Sequence, residues 1–196
     1  LGDKRFRAPQ PPEAWRGVRE CDSFGDALIQ EKYLTLTTPL KLQPMSEDCL
    51  TLNVFSPDSV PSAPRPVMVF VHGGGFLMGM AATPIYDGTH LARNQDVVVV
   101  TIQYRFGPFG FLDVTEYADP EHPFETNLGL RDQIAALEWV QRNIAAFGGD
   151  ADNILFEAND EQRAAYLLPT INGERRSCFA ITEPGGGSDV ASLATK

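Results

Sequence analysis

The stretch His72-Gly73-Gly74-Gly75-Phe76 is the part of the sequence best suited to chemistry. It directly follows Val67–Val71, an apolar run with the composition of a buried strand. Consecutive glycines let a backbone approach a ligand closely and turn its N–H groups towards it. Such N–H groups can stabilise a carbonyl oxygen that gains negative charge during acyl transfer. A tight turn between a strand and a helix, without any ligand, is the alternative interpretation of the same glycines.

Several apolar segments supply the elements that would position this glycine loop. Val67–Val71 and Asp96–Ile102 are predicted to be strands covered on both faces, with a short helix near residues 88–94 between them. Residues 50–55 alternate between apolar and polar side chains, which predicts a half-buried strand. Residues 153–156 are predicted to be the next parallel strand, which leaves the two apolar runs central in the sheet.

A long helix is predicted before that last strand, beginning near Asn127 and ending at Gly148-Gly149. Its apolar residues fall at helical spacing and are predicted to form a core face: Leu130, Ile134, Leu137, Val140 and Ile144. Strands that alternate with helices indicate an α/β fold built on a parallel sheet.

Composition narrows the class of protein. The chain has 196 residues, which suggests one domain or slightly more, and 43% of them are hydrophobic. A net charge of −10 argues against a nucleic-acid partner, which would need a basic patch. The sequence contains no run of about 18 apolar residues, so no membrane span is predicted. The first five residues lack the apolar region of a signal peptide, so a cytoplasmic location is expected.

The cysteines are expected to be free. They are three in number, Cys21, Cys49 and Cys178, and their spacing is not that of a metal site. Buried thiols are therefore the simpler expectation, and no metal is predicted.

Several separate segments, in order along the chain, resemble the type-B carboxylesterase family, which includes the cholinesterases. The resemblance covers residues 1 to about 155 and includes the glycine loop. The other matching segments are Arg5–Gln10, Glu47–Pro57, Tyr104–Gly107, Gly129–Gln133 and Phe147–Asp150.

This resemblance implies an α/β-hydrolase fold, a small-molecule ester substrate and no cofactor. Gly74 and Gly75 would be the oxyanion donors. The family's nucleophilic serine would fall at position 159, which is Asn159 here. The family's acid and histidine would follow later and are not found, so the chain is expected to be inactive, with a truncated sheet. The family's disulfide partner for Cys49 would fall at Leu28, so that disulfide is not expected.

No other residue is expected to rebuild the triad. Of the three histidines, His72 belongs to the glycine loop and is assigned a structural role. His90 and His122 lie in polar stretches and are expected at the surface. Ser188 follows Gly186-Gly187 but lacks the final glycine of a nucleophile elbow.

The end of the sequence resembles a different family. Residues 180–192 are similar to a segment of acyl-CoA dehydrogenases, although a glycine-rich turn after a strand is the alternative. The resemblance implies that this segment lies against the flavin of FAD. The implied contact residues are Phe179, Ile181, Thr182, Gly187 and Ser188. FAD binding would require a complete dehydrogenase, including a carboxylate base that lies further downstream in that family.

Together these observations predict a partial α/β-hydrolase domain at residues 1–155 and an acyl-CoA dehydrogenase-like fragment at 156–196, joined as a chimera. The predicted function is an inactive member of the carboxylic ester hydrolase lineage. The alternatives are an FAD-dependent acyl-CoA dehydrogenase remnant and a non-catalytic binding module. Apolar strands with few covering elements also predict a marginally stable, aggregation-prone domain.

Overall fold

The computed structural model describes residues 4–31 and 43–155, which contain four strands and three α-helices. The strands are β1 (Leu52–Phe55), β2 (Arg65–Val71), β3 (Val98–Ile102) and β4 (Gly149–Leu155). The helices are α1 (Thr89–Gln95), α2 (Gly107–Phe111) and α3 (Leu128–Asn143). Asn159, Ser188 and the five residues implied to contact FAD lie outside the described residues.

The four strands form one sheet in the order β1-β3-β2-β4. Strands β2 and β3 are parallel neighbours at the centre, with Val69 opposite Val100, and β4 runs parallel to β2. The predicted α/β fold and the central position of both apolar runs are therefore confirmed.

The sheet is mixed rather than parallel throughout, because β1 pairs antiparallel with β3 while β2 pairs parallel with β3 and β4. The chain passes from β1 to β2 through residues 56–64, which contain no helix. A parallel connection needs about a dozen residues or more, usually with a helix, so this shorter loop returns the chain in the opposite direction.

The strand bounds differ from the predictions by a few residues. The first strand begins at Leu52 rather than at residue 50, and β3 begins at Val98 because Asp96, with a φ of 52°, ends α1 in a left-handed conformation. Strand β4 begins at Gly149, four residues before the predicted start. The first half of β4 contains two aspartates, so it lacks the apolar content that predicts a buried strand.

The main core lies between the sheet and α3. Every residue of β3 is buried, and the cluster comprises Val67, Val98, Val100, Ile102, Val140 and Ile144. By contrast, β2 is less covered, and Phe70 keeps 39% of its surface exposed. No helix among the described residues is long and apolar enough to cross a membrane.

The predicted core face of the long helix is only partly right. Val140 and Ile144 are buried, but Leu130, Ile134 and Leu137 are half-buried. The first turns instead bury Leu128, Gly129 and Asp132. A Cβ added at Gly129 would lie 2.2 Å from the Arg105 carbonyl oxygen, so this end of α3 packs directly on backbone. Apolar periodicity cannot reveal a face made of glycine and aspartate.

Candidate functional site

The glycine loop begins where β2 ends, and three consecutive residues in it have positive φ angles. These are Gly74 at 128°, Gly75 at 62° and Phe76 at 59°. A Cβ added at Gly74 would lie 1.9 Å from the Met78 carbonyl oxygen, so no side chain fits there. The loop is thus folded tightly on itself, in a form that requires glycine at position 74.

The amide groups of Gly74 and Gly75 stay free of hydrogen bonds within the described part of the chain. The loop holds its shape through other groups: the Leu77 amide donates to the Gly74 carbonyl at 3.1 Å, and the Gly107 amide donates to the Phe76 carbonyl at 2.6 Å. Gly75 is exposed, whereas Gly74 is half-buried.

His72 is buried at the start of this loop against the residues that follow β3. Because β2 and β3 are parallel, with Val71 opposite Ile102, their carboxyl ends meet at one edge of the sheet. There the rings of His72 and Tyr104 stack with centroids 4.5 Å apart, and the Tyr104 phenol donates to the His72 carbonyl at 2.9 Å.

The electrostatics of His72 fit a structural role. Burial lowers the pKa of its imidazole, while a contact of 2.9 Å from its Nδ1 to the Gly73 carbonyl opposes this change. Its Nε2 is buried and has no partner among the described residues. A neutral ring with a proton on Nδ1 fits these contacts, so the predicted structural role of His72 is supported. The predicted surface positions of His90 and His122 are confirmed.

A buried ion pair joins the segment that follows β3 to α3. Arg105 donates from Nε and Nη2 to the two carboxylate oxygens of Asp132, both at 2.7 Å, and its backbone amide also donates to Asp132. Its remaining nitrogen, Nη1, donates to the Arg7 carbonyl at 3.0 Å. This network ties the early segment of the chain to the scaffold that carries the loop.

Cys49 is a free buried thiol rather than half of a disulfide, as predicted. It packs with Leu28, Tyr104 and Phe106 in a second core cluster, so Leu28 fills apolar space beside the thiol. Burial, followed by the charge of Asp132, raises the pKa of Cys49 to about 12. The thiol is therefore no candidate nucleophile. Cys21 is also free but exposed, so the expectation of a buried thiol is wrong at that position.

The structure describes both predicted oxyanion residues and adds one side chain that sequence reasoning did not assign to the site, Tyr104. The Tyr-Arg-Phe-Gly segment after β3 was visible in the sequence, but its contact with His72 depends on strand pairing. No group of three or more His, Cys, Asp or Glu residues within 4–31 and 43–155 could hold a metal ion.

Comparison with known proteins gives consistent results. The model of the carboxylesterase family matches residues 1–158. The para-nitrobenzyl esterase of Bacillus subtilis (strain 168) is 47% identical over 154 residues, which are 79% of this chain and 31% of that protein. Carboxylesterase 3B of Mus musculus is 44% identical over 166 residues, covering 81% of this chain and 28% of that protein. The chain thus spans less than a third of these relatives.

Solved structures agree with the sequence matches. A thermophilic PNB esterase superimposes with a TM-score of 0.70 at 48% identity, covering 76% of this chain and 30% of that chain. A carboxylesterase of Geobacillus stearothermophilus superimposes with a TM-score of 0.66 at 47% identity, over 78% and 30% of the two chains. With the strand order, the glycine loop and the family model in agreement, the chain belongs to the carboxylesterase family.

Proposed function

We propose that this chain, a member of the carboxylic ester hydrolase lineage, binds the carbonyl oxygen of a small ester or carboxylate through the amides of Gly74 and Gly75. In this proposal it binds such ligands without hydrolysing them. By resemblance, the family's nucleophilic serine corresponds to Asn159, and an amide cannot attack an ester as a serine hydroxyl does. The activities of the relatives belong to whole proteins, of which this chain spans less than a third.

The observation that carries this proposal is the backbone of Gly74. Its φ of 128° and its approach to Met78 exclude any side chain, yet its amide donates to no described residue. Glycines with positive φ also occur in tight turns that bind no ligand, so the proposal depends on the two amides that donate to no described residue. Two adjacent free amides are the donor arrangement that stabilises an oxyanion.

The chemistry of these residues is limited to binding and orientation. The amides would hold the carbonyl oxygen and favour states in which it carries negative charge. The bonds of the Leu77 and Gly107 amides fix the loop beforehand, so little reorganisation accompanies binding. No proton transfer is assigned to His72, because its ring is buried and its Nδ1 faces the Gly73 carbonyl.

The test is a titration of the chain with monoethyl butylphosphonate, monitored by NMR of the backbone amides. This compound is an anionic, tetrahedral mimic of an ester intermediate. The Gly74 and Gly75 amide signals should shift in a saturable manner. Gly74→Ala should abolish these shifts, because its Cβ would meet Met78 at 1.9 Å. Gly73→Ala is the matched control: an added Cβ there meets nothing within 4 Å, so binding should persist.

Turnover is tested with p-nitrophenyl butyrate. The expected hydrolysis rate is that of buffer alone, and Asn159→Ala should leave it unchanged. Turnover well above buffer that is lost in Gly74→Ala would overturn the non-hydrolytic part of the proposal. A probe that shifts neither glycine amide, even at high concentration, would overturn the binding part.

A second proposal concerns residues 156–196, which we infer from the Thr182–Ser188 motif to be an acyl-CoA dehydrogenase-like fragment. Only the motif supports it, and the carboxylesterase family model ends at residue 158. In a complete dehydrogenase, Phe179, Ile181, Thr182, Gly187 and Ser188 would contact FAD. A purified chain with flavin absorbance, lost on removal of residues 180–196, would support an FAD-binding remnant, whereas a colourless chain after incubation with FAD would contradict it.

A further inference from the structure

The side chain of Gln30 pairs with the backbone of Gly79, 49 residues away in the sequence. Gly79 donates its amide hydrogen to Gln30 Oε1 at 2.9 Å, and Gln30 Nε2 donates to the Gly79 carbonyl at 2.9 Å. The same nitrogen also approaches the Leu28 carbonyl at 3.2 Å. One carboxamide thus satisfies both hydrogen-bonding groups of one loop residue, as a neighbouring strand would.

Gly79 lies three residues after the glycine loop, at the point where the chain folds back on His72 and Gly73. Its φ is 136°, and an added Cβ would lie 2.1 Å from His72 Nδ1 and 2.7 Å from the Gly73 carbonyl oxygen. The backbone at Gly79 therefore packs directly on the first two residues of the loop. A shift at Gly79 must move either His72 or the chain between Gly74 and Met78.

The neighbouring anchors of the loop come from different elements. Tyr104 holds the His72 carbonyl, and Gly107 holds the Phe76 carbonyl. Both lie after β3, so they fix only one side of the loop. Gln30 belongs to the segment before β1 and is half-buried. Through Gly79 it binds the part of the chain that leaves the loop, so it fixes the loop from a different element.

We propose that Gln30 is a positioning residue for the glycine loop, whose carboxamide fixes Gly79 and thereby the direction of the Gly74 and Gly75 amides. Gln30 acts through Gly79 and is assigned no contact with the ligand. The inference rests on the proposed function only in treating those two amides as ligand donors. The clamp itself is a property of the unliganded chain and can be measured without any ligand.

The first test measures hydrogen exchange of backbone amides in the full-length chain. Gln30→Ala should lower the protection of Gly79 and Leu77 roughly tenfold, the effect expected for loss of about one hydrogen bond's net contribution. Gln43→Ala is the matched control, because Gln43 Nε2 also donates to a backbone carbonyl, that of Gly25 at 2.9 Å, and forms no hydrogen bond with residues 72–79. It should leave Gly79 and Leu77 protected.

The second variant, Gln30→Glu, keeps the size of the side chain and separates donor from acceptor. As a carboxylate it can accept from the Gly79 amide but cannot donate to the Gly79 carbonyl. Protection at Leu77 should fall near pH 7, relative to wild type at the same pH. It should recover near pH 4, where the protonated carboxyl again supplies a donor. If protection fell only because packing around residue 30 was disturbed, acid would not restore it.

Amide protection at Gly79 and Leu77 decides whether Gln30 positions the loop. If both Gln30 variants retain wild-type protection at Gly79 and Leu77, the positioning role is wrong. If Gln30→Ala does not fold, Gln30→Glu decides through its recovery in acid. With monoethyl butylphosphonate, Gln30→Ala should weaken the Gly74 and Gly75 shifts severalfold. If wild type shows no such shifts while exchange still depends on Gln30, the ligand proposal fails and the clamp stands.

Discussion

The phenol of Tyr104 donates a hydrogen bond of 2.9 Å to the His72 carbonyl while the two rings stack 4.5 Å apart. One side chain thus holds both the backbone and the ring of the residue that begins the glycine loop. Burial raises the pKa of the Tyr104 phenol, so the donor keeps its proton throughout the neutral range.

Tyr104→Phe should preserve the stacking and remove only the donor. The His72 carbonyl would then lose its partner in a buried environment, which typically costs about 1–3 kcal/mol of unfolding free energy. Urea denaturation measures the difference. Tyr117→Phe, at a position that is 69% exposed, is the control and should change stability little. Equal effects of both variants would contradict the role given to the phenol.

Stability should depend on pH through His72. Because burial lowers its pKa in the folded state, the unfolded chain, with a histidine pKa of about 6.5, binds more protons. This contribution is complete above the unfolded pKa and is lost as pH falls through it towards the folded pKa. Denaturation midpoints between pH 7.5 and 5.5 should fall in wild type and in His90→Gln, and the fall should be smaller in His72→Phe. If His72→Phe shows the same pH dependence as wild type, other titratable groups cause the dependence and the role given to His72 is wrong.

The buried ion pair should contribute far more than exposed ones. Asp132→Ala would leave the Arg105 guanidinium buried without its carboxylate, which typically costs about 3–5 kcal/mol. Glu138→Ala removes an exposed pair with Arg142 and should cost less than about 1 kcal/mol. Both are measured by urea denaturation with circular dichroism detection. Similar losses in the two variants would show that the buried Arg105–Asp132 pair contributes no more to stability than an exposed pair does.

The two described thiols should differ in reactivity. Cys21 is exposed, whereas Cys49 is buried with a pKa of about 12. Iodoacetamide at pH 8 should therefore modify Cys21 in the folded chain and reach Cys49 only after addition of denaturant. Peptide mass spectrometry assigns the modified residue. Rapid labelling of Cys49 under native conditions would mean that the cluster with Leu28 opens easily.

Other expectations remain predictions. The division at residues 155 and 156, the FAD contacts and the aggregation-prone character are tested by nothing in the described residues. Phe70, Phe76 and Leu77 do expose apolar surface, at 39%, 50% and 64%. This exposure fits the expected tendency to associate, which light scattering at increasing concentration would measure.

The sequence by itself determined the elements whose signal is local. The apolar runs of β2 and β3 predicted central strands, and the glycines at 73–75 marked the loop. The glycines at 148–149 marked the end of the 3-10 turn Ile144–Phe147, whereas α3 itself ends earlier, at Asn143. Family resemblance added the likeness to carboxylesterases and the oxyanion roles that are proposed for Gly74 and Gly75. These features could be predicted because each depends on residues close together in the chain.

Only the tertiary structure decided the relations between distant segments. The antiparallel pairing of β1, the contact of Tyr104 with His72 and the clamp of Gln30 on Gly79 each join residues more than 30 positions apart. Polar side chains such as Gln30 and Asp132 carry no periodic apolar signal. Their roles arise because chain folding brings a particular donor to a particular acceptor, and hydrogen bonds form only at that distance and angle.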